Sequence, residues 1–145
     1  MRKIYVINGP NLNMLGIREP DIYGNVNYKA LVKLVREHAK ARGVQAVCYQ
    51  SNHEGDLVDK IQEAYFKGAL GVVINPGAYT HTSVALLDAV KATRLPTVEV
   101  HISNPNEREE YRHVSYIREA AYKTIAGHGI SGYTEAIDAL VEDFK

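Results

Sequence analysis

The feature that most constrains the fold of this chain is the alternation of short apolar runs with longer amphipathic stretches. The apolar runs have the length of strands, and the stretches between them place apolar residues at helical spacing. This order is typical of repeated βαβ units, in which helices cover both faces of a parallel sheet. We therefore predict an α/β fold with a single domain over residues 1–145, a length that can bury a stable core.

The predicted elements follow from these patterns and from glycine and capping signals at their ends. The predicted strands are Lys3 to Asn8, Val44 to Gln50, Leu70 to Asn75, Pro96 to Ile102 and Thr124 to Ala126. The predicted helices are Tyr28 to Arg42, Glu54 to Lys67, Thr82 to Thr93 and Tyr133 to Phe144. A charged segment, Asn104 to Arg112, precedes a further helical turn.

The connection from Gly9 to Asn27 is longer than the few residues usual in α/β domains, and we expect it to form a lid. It places Arg18 and Tyr23 in one short loop bounded by Pro and Gly. A nearby cation lowers the pKa of a phenol, ordinarily about 10, by roughly one to three units. Tyr23 is therefore a candidate general base. In the alternative interpretation, Tyr23 packs its ring against the domain and Arg18 is solvated.

The charge balance and cysteine content exclude several classes of function. Seventeen basic and seventeen acidic side chains cancel, which argues against binding nucleic acid or an anionic membrane through diffuse positive charge. The single cysteine, Cys48, cannot form a disulfide within the chain, which favours a reducing compartment. Residues 1–7 lead directly into a short strand-like run, so we expect neither a secretion signal nor a membrane span. We therefore expect a cytoplasmic protein.

Polar residues gather where the predicted strands end. These ends are residues 8–11, 50–53, 75–81 and 99–103. Ligands bind beyond the carboxyl ends of parallel strands. We therefore expect one edge of the sheet to collect Asn11, Asn75, His81 and His101, under loops that carry Arg18, Tyr23 and Arg112.

Each of these residues also has a purely structural interpretation. Asn8 and Asn75 could shape the turns that end two strands. Thr80 or Thr82 could cap the third helix, which would leave His81 exposed in its first turn.

The same applies to the fourth strand and to the charged segment. Glu99 and His101 alternate along a strand and could form a satisfied internal ion pair. Arg112 could simply belong to a solvated charged run. Buried polar groups are costly unless they are paired or used, so the joint occurrence of these residues favours a site.

Missing motifs narrow the chemistry further. The sequence has neither the glycine-rich dinucleotide fingerprint nor a P-loop. It also lacks the HExxH motif and a compact spacing of histidines with carboxylates or thiolates, so we expect no metal site. The remaining chemistry is proton transfer on a small anionic molecule.

Five motifs in order resemble one enzyme family. They are GPNLN (9–13), REPDIYG (18–24), NPGAYTHTS (75–83), EVHIS (99–103) and YRHVS (111–115). Together they resemble type II 3-dehydroquinate dehydratase over nearly the whole chain. The resemblance implies a flavodoxin-like three-layer fold with a five-stranded parallel sheet in the order 2-1-3-4-5. It also implies loss of water from 3-dehydroquinate through an enolate, in the shikimate pathway and without a cofactor.

The resemblance assigns catalytic roles to five residues. Tyr23, ionised beside Arg18, is expected to remove the proton next to the ketone. Asn11 is expected to hold a water against the developing enolate oxygen. His101 is expected to protonate the departing hydroxyl, with Glu99 orienting its ring.

The resemblance also assigns substrate contacts. The substrate carboxylate is expected at the backbone amides of Ile102 and Ser103. His81, Arg112 and Asn75 are expected to contact the ring hydroxyls.

An oligomer is the expected assembly. Members of this family form trimers that assemble into dodecamers, with an aspartate from a neighbouring subunit near the site. Asp88 occupies the matching position, and it could equally be a solvated helix charge. Two functional alternatives stay open: the same reaction in quinate breakdown, and a flavodoxin-like binding or signalling module.

Overall fold

A computed structural model describes residues 1–17 and 26–145. Its strands are β1 (Lys3–Asn8), β2 (Gln45–Gln50), β3 (Gly71–Asn75), β4 (Thr97–His101) and β5 (Lys123–Ala126). Within the described residues they form one parallel sheet in the order β2-β1-β3-β4-β5. The principal helices are α1 (Tyr28–Ala41), α2 (Glu54–Phe66), α3 (Val84–Thr93) and α4 (Ser131–Phe144). The predicted fold class and sheet order are confirmed.

Both faces of the sheet are buried, which explains why the strands read as nearly continuous apolar runs. In β1, Ile4 and Val6 face the core layer that contains residues of α1 and α4. Tyr5 and Ile7 face the opposite layer, with residues of α2 and α3. Side chains alternate between the faces of a strand, so a single strand contributes to both cores.

The start of α3 differs from the sequence prediction. The chain first forms a short 3-10 turn, Gly77–His81, and α3 begins only at Val84. Ser83 is the capping residue, because its hydroxyl accepts a hydrogen bond of 2.9 Å from the Leu86 amide. The alternative interpretation, in which Thr80 or Thr82 caps this helix, is therefore wrong. The other ends agree with the prediction or differ from it by one or two residues, as is usual at frayed termini.

The loops after β1 and β3 lie in close contact. Asn8 and Asn75 are register partners at the ends of these strands. A Cβ on Gly9 would lie 2.3 Å from the carbonyl oxygen of Pro76, so only glycine allows this approach. The contact brings the loop that carries Asn11 beside the loop that follows Asn75.

The predicted lid is only partly described. Its first residues form a 3-10 turn, Leu12–Met14, and Leu12 and Leu15 are buried in the core. Arg18 and Tyr23 lie outside the described residues, so their roles stay predictions. Among the described helices, none has both the length and the apolar character needed to cross a lipid bilayer.

Candidate active site

A cleft opens beyond the carboxyl ends of β1, β3 and β4, where parallel sheets usually bind ligands. The residues that line it are Pro10, Asn11, Leu12, Met14, Leu15, Asn75, Gly77, Ala78, His81, His101, Ile102, Ser103, Pro105, Arg108 and Arg112. Seven of the predicted site residues are therefore brought together: Asn11, Asn75, His81, His101, Ile102, Ser103 and Arg112.

The centre of the site is a hydrogen-bonded pair on β4. His101 Nε2 lies 2.5 Å from Glu99 Oε2, and both residues are buried. Because they are two residues apart on one strand, their side chains project from the same face of the sheet. The bond through Nε2 leaves Nδ1 of His101 as the ring nitrogen that can reach a ligand in the cleft.

Hydrogen bonds saturate the carboxylate of Glu99, which is 0% exposed. Besides His101, its Oε2 accepts from Ser115 at 2.6 Å and from Thr80 at 3.1 Å. Its Oε1 accepts from Thr124 at 2.9 Å.

An ion pair with Arg118 Nε, 3.2 Å from Oε1, completes the shell around Glu99. Burial raises the pKa of the Glu99 carboxyl, but hydrogen bonds and charge from His101, Ser115 and Arg118 outweigh burial and lower the pKa to about 2. Glu99 is therefore a carboxylate throughout the physiological range, and it can orient His101 and favour its protonated form.

Cationic groups dominate the cleft. Arg108 and Arg112 both line it, and Arg112 Nε donates to Glu109 Oε2 at 2.7 Å. Within the described part of the chain, no carboxylate side chain is among the lining residues. This local field suits a small anion, although the protein as a whole is neutral.

His81 is held at the cleft by a hydrogen bond of 2.7 Å between its Nδ1 and the carbonyl oxygen of Val114. Burial lowers the pKa of this imidazole, and the neighbouring charges of His101, Arg112 and Arg108 lower it further, against the opposing effect of the Val114 bond. A neutral His81 with Nδ1 donating to Val114 presents Nε2 as an acceptor for a hydroxyl.

Asn75 is oriented by two direct hydrogen-bond partners, the Tyr133 hydroxyl and the Gly77 amide. Its side-chain nitrogen donates to the Tyr133 hydroxyl at 2.9 Å, and that hydroxyl donates to Asn8 Oδ1 at 2.6 Å. Asn75 Oδ1 accepts from the Gly77 amide at 3.1 Å, so this residue also shapes the turn after β3. Within residues 1–17 and 26–145, these bonds leave one Nδ2 hydrogen of Asn75 for a ligand in the cleft.

Asn11 lines the cleft from the loop that follows β1. It adopts a left-handed conformation with φ of 70°, which Asn tolerates better than most residues. The backbone amide of Asn11 donates to Asn52 Oδ1 at 3.0 Å, and the same oxygen accepts from Gln50 Nε2 at 3.1 Å. Asn52, which follows β2, therefore supports the loop that follows β1.

Asp88 does not join the cleft of its own chain. It lies exposed on α3, which agrees with a helix surface charge and equally leaves it accessible to another subunit. Its role in substrate binding stays a prediction.

Sequence reasoning missed three residues of the site. Arg108 lines the cleft, and the charged segment from Asn104 to Arg112 was the signal that could have found it. Arg118 binds Glu99 and Tyr133 orients Asn75, but neither belongs to a motif that sequence reasoning recognised.

Metal-ligating side chains do not converge in the described structure. Among residues 1–17 and 26–145, no group of three or more His, Cys, Asp or Glu side chains is arranged to hold a metal ion.

Comparison with known proteins relates the chain to one family. A sequence model of the family "Dehydroquinase class II" matches residues 2–141. The chain is 56% identical to 3-dehydroquinate dehydratase 1 of Corynebacterium efficiens, over 97% of this chain and 93% of that protein. It is 59% identical to 3-dehydroquinate dehydratase of Corynebacterium glutamicum, over 95% of this chain and 94% of that protein.

Solved structures agree with these sequence matches. The type II dehydroquinase of Butyrivibrio crossotus superposes with a TM-score of 0.94 at 56% identity, covering 96% of this chain and 97% of that one. The type II dehydroquinase of Propionibacterium acnes superposes with a TM-score of 0.95 at 38% identity, covering 99% and 98%. The chain belongs to the class II dehydroquinase family.

Proposed function

We propose that this protein is a 3-dehydroquinate dehydratase, which removes water from 3-dehydroquinate to give 3-dehydroshikimate in the shikimate pathway. Family membership supports the reaction. The observation that carries the proposal is the buried pair of Glu99 and His101, set at the edge of a cleft lined by two arginines. A cationic cleft with an oriented imidazole suits proton transfer to an anionic substrate.

The proposed reaction begins with Tyr23, ionised by Arg18, which removes the proton next to the ketone. The electron pair forms an enolate, whose oxygen is stabilised through a water held by Asn11. Collapse of the enolate expels the hydroxyl, and His101 donates a proton so that it leaves as water. The anionic Glu99 stabilises the protonated His101 before this step.

Substrate binding is proposed to use the rest of the cleft. The backbone amides of Ile102 and Ser103, at the carboxyl end of β4, bind the substrate carboxylate. His81 and Arg112 bind ring hydroxyls, and Asn75 adds the single N–H that its internal bonds leave available.

We further propose a single-domain cytoplasmic enzyme that assembles as trimers within a dodecamer, with Asp88 reaching a neighbouring site. The exposed position of Asp88 on α3 supports this arrangement. Sedimentation of the purified protein tests the assembly, and a stable monomer with full activity would contradict it. Substitution Asp88→Ala should weaken substrate binding in the assembled enzyme, and unchanged KM would remove Asp88 from the site.

The decisive experiment follows the ultraviolet absorbance of the enone formed from 3-dehydroquinate, with no metal or nucleotide added. We expect turnover by the unmodified protein and none by His101→Ala, while His128→Ala, which changes an exposed histidine bonded to Glu135 outside the cleft, should keep it. Absence of enone formation by the unmodified protein would contradict the proposed reaction. Growth phenotypes would distinguish a biosynthetic role from quinate breakdown.

A further inference from the structure

We propose that Arg118 is a positioning residue that tunes the acid strength of His101 through Glu99. The inference rests on the proposed dehydration, in which His101 gives its proton to the departing hydroxyl. In this arrangement the proton donor is controlled by three charged groups in a row, His101, Glu99 and Arg118, and not by the pair of His101 and Glu99 alone.

The geometry places two cationic groups on opposite oxygens of one carboxylate. Arg118 Nε lies 3.2 Å from Glu99 Oε1, and His101 Nε2 lies 2.5 Å from Oε2. Among the described residues, Arg118 is outside the set that lines the cleft, and its side chain is 38% exposed. Its charge therefore acts on His101 from behind Glu99, and it does not act through contact with substrate.

The consequence follows from simple electrostatics. A lone buried carboxylate would hold the proton of His101 strongly, because it stabilises the imidazolium. The permanently charged guanidinium of Arg118 offsets part of that negative charge. His101 then remains oriented by Glu99 but releases its proton more readily, as a general acid must.

The other ionisable and hydrogen-bonding groups near His101 and Glu99 are left unchanged by the test. His81, Arg108 and Arg112 face it from the cleft. The hydroxyls of Thr80, Ser115 and Thr124 donate to Glu99 and carry no charge at working pH. Arg118 thus places its charge on the side of Glu99 that is remote from the cleft.

The test is an NMR titration of the His101 ring in the protein without ligand, with the signal assigned by its loss in His101→Gln. In Arg118→Gln we expect the titration midpoint to rise by about one pH unit. Arg118→Lys keeps the charge and should keep the midpoint close to that of the unmodified protein. Arg118→Met, with an uncharged stem of similar length, provides a second neutral variant and should match Arg118→Gln.

Arg42→Gln is the matched control, because it removes one partly exposed arginine that pairs with Asp138 away from the cleft. Its His101 midpoint should stay unchanged. Equal midpoints in the unmodified protein and both neutral Arg118 variants would overturn the proposal, even if those variants were less stable. That result would assign Arg118 a purely structural role.

Kinetics give a second readout. Arg118→Gln should move the alkaline limb of the kcat profile upward with the His101 midpoint and lower kcat by about threefold, with little change in KM. The titration does not depend on turnover. A protein that fails to dehydrate 3-dehydroquinate yet shows the shifted midpoint would contradict the proposed function and leave the coupling of Arg118 to His101 supported.

Discussion

The buried phenol oxygen of Tyr133 lies 2.9 Å from the side-chain nitrogen of Asn75 and accepts its hydrogen bond. The same hydroxyl donates to Asn8, so a residue of α4 joins the ends of β1 and β3 beneath the cleft. Tyr133 is 0% exposed, and burial is the main reason why the pKa of its phenol is raised. It is therefore a neutral hydroxyl that both donates and accepts.

Substitution Tyr133→Phe should destabilise the protein and loosen Asn75. Asn8 and Asn75 would each lose a buried partner, which typically costs about 1–3 kcal/mol per unsatisfied group. Because Asn75 is proposed to bind substrate, KM should rise more than kcat falls. Urea unfolding and steady-state kinetics measure both effects. Tyr122→Phe, which removes an exposed hydroxyl bonded to Asp143, should change neither quantity appreciably.

Stability in acid should depend on Glu99. The pKa of the Glu99 carboxyl is lowered from 4.5 to about 2 in the folded protein. As pH falls, this carboxyl is therefore protonated in the unfolded chain before it is protonated in the folded protein, which favours unfolding. This stabilisation is fully present above about pH 5 and is lost as pH falls towards 2, by roughly 3 kcal/mol. Urea unfolding between pH 2 and pH 7 should therefore show a flatter pH dependence for Glu99→Gln than for the unmodified protein.

The control for this experiment is Glu142→Gln, since Glu142 is an exposed carboxylate 3.8 Å from Arg42. It should retain the pH dependence of the unmodified protein. Identical slopes for Glu99→Gln and the unmodified protein would show that the Glu99 carboxylate does not drive the acid transition.

Tyr23→Phe should keep the fold and substrate binding but lose nearly all turnover, because the proposed base is removed without loss of the ring. Enone formation measures turnover, and equilibrium binding of substrate measures affinity. Retained turnover would remove Tyr23 from the mechanism. Tyr65→Phe is a suitable control, since Tyr65 is an exposed tyrosine on α2 outside the residues that line the cleft.

Arg18→Ala should also cripple turnover, and it should alter the pH profile of the residual activity. Without the cation, the phenol of Tyr23 ionises at higher pH, so the limb that reports this ionisation should move upward. The rate of enone formation across pH measures the change. An unmoved limb would indicate that Arg18 only positions substrate.

His101→Ala should separate the two halves of the reaction. Removal of the first proton does not require His101, so solvent deuterium should still exchange into the substrate next to the ketone. Loss of the hydroxyl should stall, because its proton donor is missing. Mass spectrometry measures the exchange and absorbance measures the enone. Loss of exchange together with dehydration would contradict a late acid role.

The strands and helices could be predicted well, because they depend on the periodic spacing of apolar residues and on local signals at their ends. The predicted ends of strand β1 agree with the structure, because the apolar run from Ile4 to Ile7 lies between polar residues in the sequence. The structure buries this run on both faces of the sheet. The start of α3 was missed, because three hydroxyl residues within four positions compete for one cap. In the structure the Thr80 hydroxyl donates to Glu99, and the Ser83 hydroxyl caps α3 by accepting from the Leu86 amide.

The cleft residues could be predicted as a group for a similar reason. Strand ends were recognisable, and a parallel arrangement brings them to one edge, where Asn11, Asn75, His81 and His101 line one cleft. Arg18 and Tyr23 rest on the motif alone, as they lie outside the described residues.

What periodicity and motifs established here is the layered fold, the cleft edge and the family, because repeated spacing and short motifs record contacts within an element or at its end. The residues that support the cleft from behind could be identified only from the tertiary structure. Tyr133 meets Asn75 and Asn8 across separations of 58 and 125 residues, and Arg118 meets Glu99 across 19. Such pairings form only when the chain folds and packs against the sheet, because burial then makes distant residues neighbours. Their spacing in the sequence follows no helix or strand period, so no pattern in the sequence predicts them.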